Sequence, residues 1–511
     1  MSETTHPAPT HSRLPPPRGN SVAVRTLVRA AERAMDRSSD ALNVSGNTAR
    51  LLVDGAEAFP AWLEMIGGAR EYVHFENYIL RDDKTGRRFR EALCDRARDG
   101  VRVRVLYDWM GCWATPRRFF RPFREAGVDI RAFSPPLAVN PLGFLRRDHR
   151  KVVAVDGHYA SVGGMCIGDE WAGDPELGIP GWRDTGAEFR GPVAAVLDRA
   201  FSRTWALAGA PLPPEEVPDA AKEKPVGDVS VRVVEGVPAK SRIYRLSQFL
   251  ALAVEERLWI TDPYFLVPPA MAEALAAAAR DGVDVRVLLP AYNNWPIVGG
   301  MSRAGYRPLL EAGVRIFEWE GPMIHAKTAV ADGVWARVGS SNQNLASLLG
   351  NWELDVAVTD RTFAAAMEAL FERDLTSAVE IRLLQSNFSP QPFRERRAVE
   401  RVVVEDPAET HKASRARARE ARRRSYRGTD ASRFVGRIAR AGSVLARALI
   451  GERLIGREDV GWIAIVAALL FLYAGLGFRY PKWIAWPVAF FFFWLGVAAV
   501  SRLITRRAPP D

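Results

Sequence analysis

Short runs rich in valine, isoleucine and aromatic residues recur through most of the chain. The clearest are EYVHFENYIL at 71–80, VRVRVLYDW at 101–109, KVVAVDG at 151–157, RLWITDPYF at 257–265 and VDVRVLLP at 283–290. Their length and β-branching predict strands, and their near-continuous apolarity predicts sheets covered on both faces. Between them lie alanine- and arginine-rich stretches of helical composition, such as FREALCDRARDG at 89–100 and AMAEALAAAARDG at 270–282. This alternation predicts an α/β body from about Ala23 to Asn387. Residues 1–22 are polar and proline-rich, lack the apolar run of a signal peptide, and are expected to be a disordered lead.

The body contains an internal repeat. ARDGVRVRVLYDW at 97–109 resembles AARDGVDVRVLLP at 278–290, and EYVHFENYI at 71–79 resembles RLWITDPYF at 257–265. FREAGVDIRAF at 123–133 resembles LLEAGVRIFEW, which ends at 319, and DHRKVVAVDG at 148–157 resembles IHAKTAVADG at 324–333. The order is the same in both halves, so two similar α/β modules, 23–207 and 231–390, are expected to pack as a pseudo-dimer. The stretch AGAPLPPEEVPDAAKEKP within 208–230 reads as the linker between them.

Composition shifts after Ser389. The segment KASRARAREARRRSYR at 412–427 carries eight basic residues against one glutamate, a net 8 − 1 = +7, within a chain whose total excess is +10. Two uncharged apolar stretches follow, 461–478 and 483–501, separated by the turn RYPK. Each is long enough to cross a hydrocarbon layer about 30 Å thick as a helix. Tyr480, Trp483 and Trp486 near the turn suit an interfacial belt. The expected organisation is a basic juxtamembrane segment at 391–458, then two transmembrane helices and a short tail at 459–511. A buried hairpin in a soluble domain is disfavoured, because nothing near residues 430–511 supplies partner surface. Arg453, Arg457, Arg502, Arg506 and Arg507 outnumber Arg479 and Lys482 of the turn. The positive-inside rule then predicts a multi-pass membrane protein with both ends, and the globular body, on the cytoplasmic side.

The overall composition, 48% hydrophobic and 25% charged over 511 residues, excludes a disordered or collagen-like chain. Three cysteines without a CxxC cannot build a disulfide framework or a cysteine-rich zinc site. Of seven histidines, His6 and His11 lie in the lead and His411 in the basic tail, while His74 and His158 fall in or beside strands. The remaining two occupy equivalent places in the repeat. His149-Arg-Lys151 is followed by Asp156 and His325-Ala-Lys327 by Asp332, so both read HxKx₄D. On a strand, residues i and i+2 face the same side, so each histidine and lysine can point into one cavity. Each aspartate then falls at the strand end beside a glycine turn, where it is expected to hold neighbouring structure. Gly163-Gly164 and Gly339-Ser340-Ser341-Asn342 follow, offering close backbone approach and donors to an anion. Farther on, Asp184 and Glu353 are carboxylates able to orient the histidines. A divalent-metal site is a poor reading, because the ammoniums already supply positive charge and no HExxH occurs.

The pair HRKVVAVD and HAKTAVAD resembles the duplicated HKD motifs of the phospholipase D superfamily, over roughly residues 50–390. The segments GGMCIGDEWAG at 163–173, WRDTGAEFRGPV at 182–193 and GSSNQNLASLLGNWELDV at 339–356 are similar to those of bacterial cardiolipin synthases. So is YVHFENYILRDDKTGRRFREAL at 72–93. The resemblance implies two phospholipase D-like modules, each a mixed β-sheet flanked by helices. It implies phosphatidyl transfer between two phosphatidylglycerol molecules, releasing glycerol, through a phosphohistidine. His149 would be the nucleophile and His325 the acid/base, with Lys151 and Lys327 neutralising phosphate oxygens and Ser340 and Asn342 donating hydrogen bonds. Asp156 and Asp332 complete the implied catalytic set.

No cofactor or metal is expected. The expected partners are an anionic phospholipid and the bilayer, with no nucleic acid. Two positions depart from the family pattern: Cys166 replaces the usual asparagine after Gly163-Gly164, and Asn344 stands where aspartate is common. Cys166 reads as a small buried hydrophobe rather than a redox switch. The alternatives are phospholipase D-type hydrolysis or head-group exchange, a nuclease of the same superfamily, and a non-enzymatic membrane scaffold.

Overall fold

A computed structural model describes residues 22–135, 146–174, 176–383 and 399–403. Sixteen strands among them form one hydrogen-bonded series. The first seven are β1 (Asn43–Val53), β2 (Tyr72–Asn77), β3 (Arg102–Asp108), β4 (Asp129–Phe133), β5 (Lys151–Val155), β6 (Tyr159–Gly163) and β7 (Thr185–Arg190). The next nine are β8 (Val229–Gly236), β9 (Arg257–Thr261), β10 (Asp284–Pro290), β11 (Arg315–Trp319), β12 (Thr328–Ala331), β13 (Trp335–Gly339), β14 (Glu353–Thr359), β15 (Ala378–Leu383) and β16 (Val399–Val403). Their order is β16-β15-β11-β10-β9-β12-β13-β14-β8-β1-β7-β6-β5-β2-β3-β4. Read outward from the central β8–β1 pair, the two halves follow the same sequence of seven equivalent strands, and β15 and β16 extend the second half beyond it.

Each half is a mixed sheet. β2, β3 and β4 run parallel to one another, as do β9, β10 and β11, and hairpins β5–β6 and β12–β13 continue each sheet antiparallel. Helices cover both faces of the parallel strands in the first module: Phe89 and Leu93 pack on one face with Val73, Phe75 and Val105, and Phe201 and Trp205 of the helix Pro192–Leu207 pack on the other with Leu106 and Phe133. Helices Pro192–Leu207 and Arg361–Leu375 pack into a core shared by both modules, with Val162, Ala187, Phe189, Val338 and Val356 fully buried. The modules meet at β1 and β8, antiparallel through Asn43↔Arg232 and Val44↔Val231.

The helix Val22–Ser39, expected with the first module, packs on the second. Fully buried Arg232 of β8 pairs with its Asp36, at 2.8 Å, and with its Glu32. The expected linker has a fixed path as well: Glu216 is buried and binds Arg104 of β3. β16 adds a strand to β15 beyond the boundary expected at 390.

The expected fold class needs one correction. Among the described residues no helix is long and apolar enough to cross a membrane. The described helices pack against the sheets of the two modules, most of them by one apolar face. Arg361–Leu375, for example, buries Phe363, Met367, Leu370 and Phe371 while Arg361 and Glu372 stay exposed. The described residues therefore form two α/β modules with no transmembrane hairpin among them, and the expectation of a multi-pass membrane protein is withdrawn. The stretches 461–478 and 483–501 that motivated it lie outside the described residues, as do the basic segment at 412–427 and the lead at 1–21.

Candidate active site

His149 and Lys151 stand at the entry to β5, and His325 and Lys327 at the entry to β12. All four are buried, the histidines at 9% and 4% exposure. Two-residue spacing on extended backbone turns each lysine back toward its histidine: Lys151 Nζ donates to the His149 carbonyl and Lys327 Nζ to the His325 carbonyl. Lys327 Nζ also lies 2.9 and 3.0 Å from the two ring nitrogens of His325.

The orienting carboxylates are exchanged between modules. His149 Nδ1 sits 3.0 and 3.1 Å from the carboxylate of Glu353, on β14 of the second module. His325 Nδ1 sits 2.7 Å from Asp184 Oδ2, beside β7 of the first. Backbone bonds set this crossing. His149 N donates to Trp352 O at 2.8 Å, next to Glu353, and His325 N donates to Arg183 O at 2.7 Å, next to Asp184. Because a carboxylate only accepts, each Nδ1 carries the proton and each Nε2 presents a lone pair.

The carboxylates are themselves held. Asp184 accepts from Trp171 Nε1 at 3.0 Å and from the Thr185 amide at 2.8 Å. Glu353 accepts from Ser340 Oγ at 2.5 Å. Glycine at 164 is a steric necessity: a Cβ there would lie 2.2 Å from Asp184 Oδ1.

Burial governs the electrostatics. It pushes His325 down to about 3, helped by the Lys327 ammonium and opposed by Asp184. His149 is also lowered by burial, against Glu353 and with Lys151 and Lys327 adding to the effect. Burial alone would raise Asp184 and Glu353, but the facing imidazoles and lysines outweigh it and hold both below the ordinary carboxylate range. Burial lowers Lys327 to about 8. Lys327 acts on His149, and Lys151 on His325, so the two centres share one field. The resting site thus holds neutral imidazoles, ionised carboxylates and buried ammoniums.

Asp156 and Asp332 do not join this group. Each lies five residues past its lysine, about 16 Å along an extended strand. Asp156 accepts from the amides of Arg70, Glu71 and Tyr72, and Asp332 from those of Glu255, Glu256 and Arg257, all at 2.8–3.0 Å. Both adopt positive φ, 53° and 50°, followed by positive-φ glycines, which makes each Asp-Gly an I′-type hairpin turn. Their carboxylates pin the starts of β2 and β9. Ser340 is committed to Glu353, while the Asn342 amide nitrogen reaches Ser347 Oγ at 3.3 Å and its buried Oδ1 has no hydrogen bond among the described residues. Of those two expected phosphate donors, only Asn342 keeps capacity for a ligand.

Several residues at the site were not singled out from sequence. Tyr78 stands edge-on to His149 at 4.8 Å, and Trp171, Trp182 and Tyr264 surround His325 at 5.5–5.9 Å. End-to-end comparison of 71–79 with 257–265 aligns Tyr78 with Tyr264, a signal that could have found them, although the strand register offsets the two by one residue. Cys166 is buried among the two lysines and Asp184, and burial raises its thiol. Among the described residues no cluster of three or more histidine, cysteine, aspartate or glutamate side chains is disposed to hold a metal ion.

The family described as "Cardiolipin synthase, PLD-like domain" matches residues 62–171 and 246–375. The chain is 35% identical over 369 residues to "Cardiolipin synthase A" of Pseudomonas syringae pv. syringae (strain B728a), covering 71% of this chain and 76% of that protein. It is 36% identical to the Pseudomonas putida (strain W619) protein of the same name, covering 69% and 73%. Among solved structures, phosphatidylserine synthase of Haemophilus influenzae Rd KW20 superposes with a TM-score of 0.54 at 14% identity, over 68% of this chain and 91% of that one. That likeness concerns the fold. With a paired-module fold, a repeated HxKx₄D and relatives matched over most of their length, the chain belongs to the cardiolipin synthase-like family of the phospholipase D superfamily.

Proposed function

We propose that this protein transfers a phosphatidyl group from one phosphatidylglycerol to another, releasing glycerol and forming cardiolipin. The observation that carries the reading is the crossed pairing: two imidazoles, each oriented by the other module's carboxylate, with a buried ammonium beside each. Such a site fits a phosphodiester anion and two successive in-line displacements. His149 Nε2 attacks phosphorus, the P–O bond to glycerol breaks, and His325 gives its Nε2 proton to the departing oxygen. His325 then takes the hydroxyl proton of a second phosphatidylglycerol, whose oxygen attacks phosphorus as the P–N bond breaks. The proton that His325 delivers has to be acquired first. A bound phosphodiester between Lys151 and Lys327 offsets their charge and moves the depressed imidazole upward, so binding itself prepares the acid. Lys151 and Lys327 supply the fixed positive charge that the equatorial oxygens need. Asn342 is the remaining amide donor. The names of the relatives support phosphatidylglycerol over water as acceptor.

The test is to supply phosphatidylglycerol in vesicles and follow lipid and glycerol together. One glycerol per cardiolipin is expected, with no cardiolipin from His149→Ala or His325→Ala. A covalent phosphatidyl-enzyme should be recovered from the acid-quenched parent protein and be absent from His149→Ala. Phosphatidic acid as the main product would make the protein a hydrolase. Substantial cardiolipin from either histidine variant would remove the two-histidine mechanism.

A further inference from the structure

Resting on the lipid-substrate reading above, we infer that the loops around the catalytic mouth form an apolar ring that seats this face of the protein on an anionic bilayer surface. Fourteen large apolar side chains are exposed among the described residues, and nine of them lie in four segments beside the catalytic pair. The other five are scattered singly, as on any soluble surface.

Each of the four segments is built directly onto a ring that touches a catalytic histidine. The turn after β3 carries Trp113, 72% exposed. It is fastened by Cys112 Sγ, which accepts from Leu80 N at 3.2 Å, and by Gly111, whose Cα packs so closely on Tyr78 O that a Cβ would lie 2.0 Å away. Tyr78 is the ring edge-on to His149. The equivalent turn after β10 carries Tyr292 and Trp295, 57% and 63% exposed. It is fastened by Asn293 Nδ2 donating to Pro263 O at 2.7 Å and Tyr264 Oη donating to Asn294 Oδ1 at 2.8 Å. Tyr264 is the ring edge-on to His325. Leu177 and Ile179 project from the loop between Trp171 and Trp182, both against His325. Leu345 follows Asn344, whose amide donates to Tyr264 O at 3.1 Å. The pseudo-twofold therefore places matching indoles on both sides of the mouth.

The chemistry of the ring favours a bilayer as occupant. Indole and tyrosine rings, with an apolar body and one polar tip, partition to the membrane interface. Exposed Arg117 and Arg118 follow Trp113, and exposed Arg146 precedes the first catalytic motif. These cations match an anionic leaflet. The acidic residues of the 174–179 loop are occupied: Asp174 Oδ1 accepts from the amides of Glu176 and Leu177, and Glu176 faces Lys84 at 4.0 Å. The histidines lie below the surface, so a phosphate must rise out of its leaflet to reach them while its acyl chains stay in hydrocarbon. A protein seated on the ring would instead close the mouth.

The chain's three cysteines are buried, so a cysteine introduced at the surface can be labelled selectively. The full-length protein carrying Trp113→Cys or Trp295→Cys is labelled with an environment-sensitive nitrobenzoxadiazole dye. Leu252→Cys, at a remote position that is 75% exposed, serves as control. In phosphatidylglycerol vesicles the labels at 113 and 295 should blue-shift and be quenched by brominated acyl chains, while the label at 252 should not. Equal solvent exposure at all three positions overturns the proposal, and an equal response in pure phosphatidylcholine overturns its anionic part. Independently, Trp113→Ser/Trp295→Ser should lower turnover of vesicle phosphatidylglycerol at least tenfold and leave turnover of a monomeric short-chain phosphatidylglycerol unchanged. Equal loss on both substrates, or no loss on either, overturns it. The fluorescence arm needs no turnover, so absence of cardiolipin synthesis would refute the enzymatic reading without deciding the docking.

Discussion

Asp184→Asn tests the crossed architecture at a residue that does not touch substrate. Asp184 Oδ2 faces His325 Nδ1 at 2.7 Å and Trp171 Nε1 at 3.0 Å, and Oδ1 faces the Thr185 amide at 2.8 Å. All three partners are donors, and an asparagine has one oxygen. With that oxygen toward His325, Nδ2 confronts the Thr185 amide, and a buried donor loses its acceptor at about 1–3 kcal/mol of stability. The imidazole keeps its tautomer but loses the charge that stabilises it when it becomes imidazolium. Losing such a carboxylate lowers kcat by roughly 10² to 10⁴, or about 3–5 kcal/mol of barrier. KM should stay within about threefold, a uniform-binding expectation. The direction of the pH effect also follows. Asp184 raises the His325 pKa, so its removal depresses an imidazole already held at about 3, and the population able to act as acid shrinks at every pH. Initial rates of cardiolipin formation across pH, beside thermal melts, decide the matter. Turnover within threefold of the parent protein, with an unshifted profile, would refute the assignment of Asp184 as the residue that orients His325.

Other expectations follow from the same geometry. Gly164→Ala, which drives a methyl into Asp184 Oδ1, should lower kcat as Asp184→Asn does while leaving the circular dichroism spectrum unchanged. Asp332→Ala removes the acceptor of three amides and leaves a non-glycine at φ 50°. It should cost about 1–2 kcal/mol in urea denaturation, because the freed amides lie close to water. Activity per folded molecule should be retained, and lost turnover at unchanged stability would count against its structural role. Lys327, lowered by burial to about 8, should impose a fall in kcat/KM as pH rises past that value; a level profile would remove its ammonium as a requirement. His74 is pushed down by burial, but Asp198 at 2.6 Å and Glu216 more than offset this, and its folded pKa lies above the ordinary value. Its contribution to stability is therefore complete below about pH 6.5 and lost as pH rises through the folded pKa. Melting curves of His74→Phe should lose that slope.

The exchange of carboxylates has a consequence for the protein as a whole. Neither module holds a complete pair of a motif histidine and its orienting carboxylate, so a shift at the β1–β8 seam separates both pairs at once. The buried ion pair of Arg183 with Asp374 at 2.9 Å braces the segment carrying Asp184 across that seam, and Asp54 of the same module holds Arg183 at 3.2 Å. Activity is thereby tied to docking of the two halves rather than to the folding of either.

Local patterns in the chain carried a great deal. The apolar runs at 101–109, 151–157 and 283–290 became β3, β5 and β10 because β-branching and two-sided burial act over a few residues. The duplicated HxKx₄D exposed the two modules, because equivalent residues keep equivalent spacing. Even so, one matched pair was misaligned by a residue. The amide contacts to Asp156 and Asp332 equate Tyr72 with Arg257, whereas end-to-end comparison equated Glu71 with it. Strand register is a hydrogen-bonding property that apolar pattern alone leaves loose. What only the tertiary structure decided was long-range: which carboxylate serves which histidine, that Ser340 gives its proton to Glu353, that the helix at 22–39 lies on the second module, and that no described helix is a membrane span. Sequence spacing tells which residues correspond between repeats. It does not tell which repeat's side chain completes the other's site, because that depends on how two separately patterned sheets meet along β1 and β8.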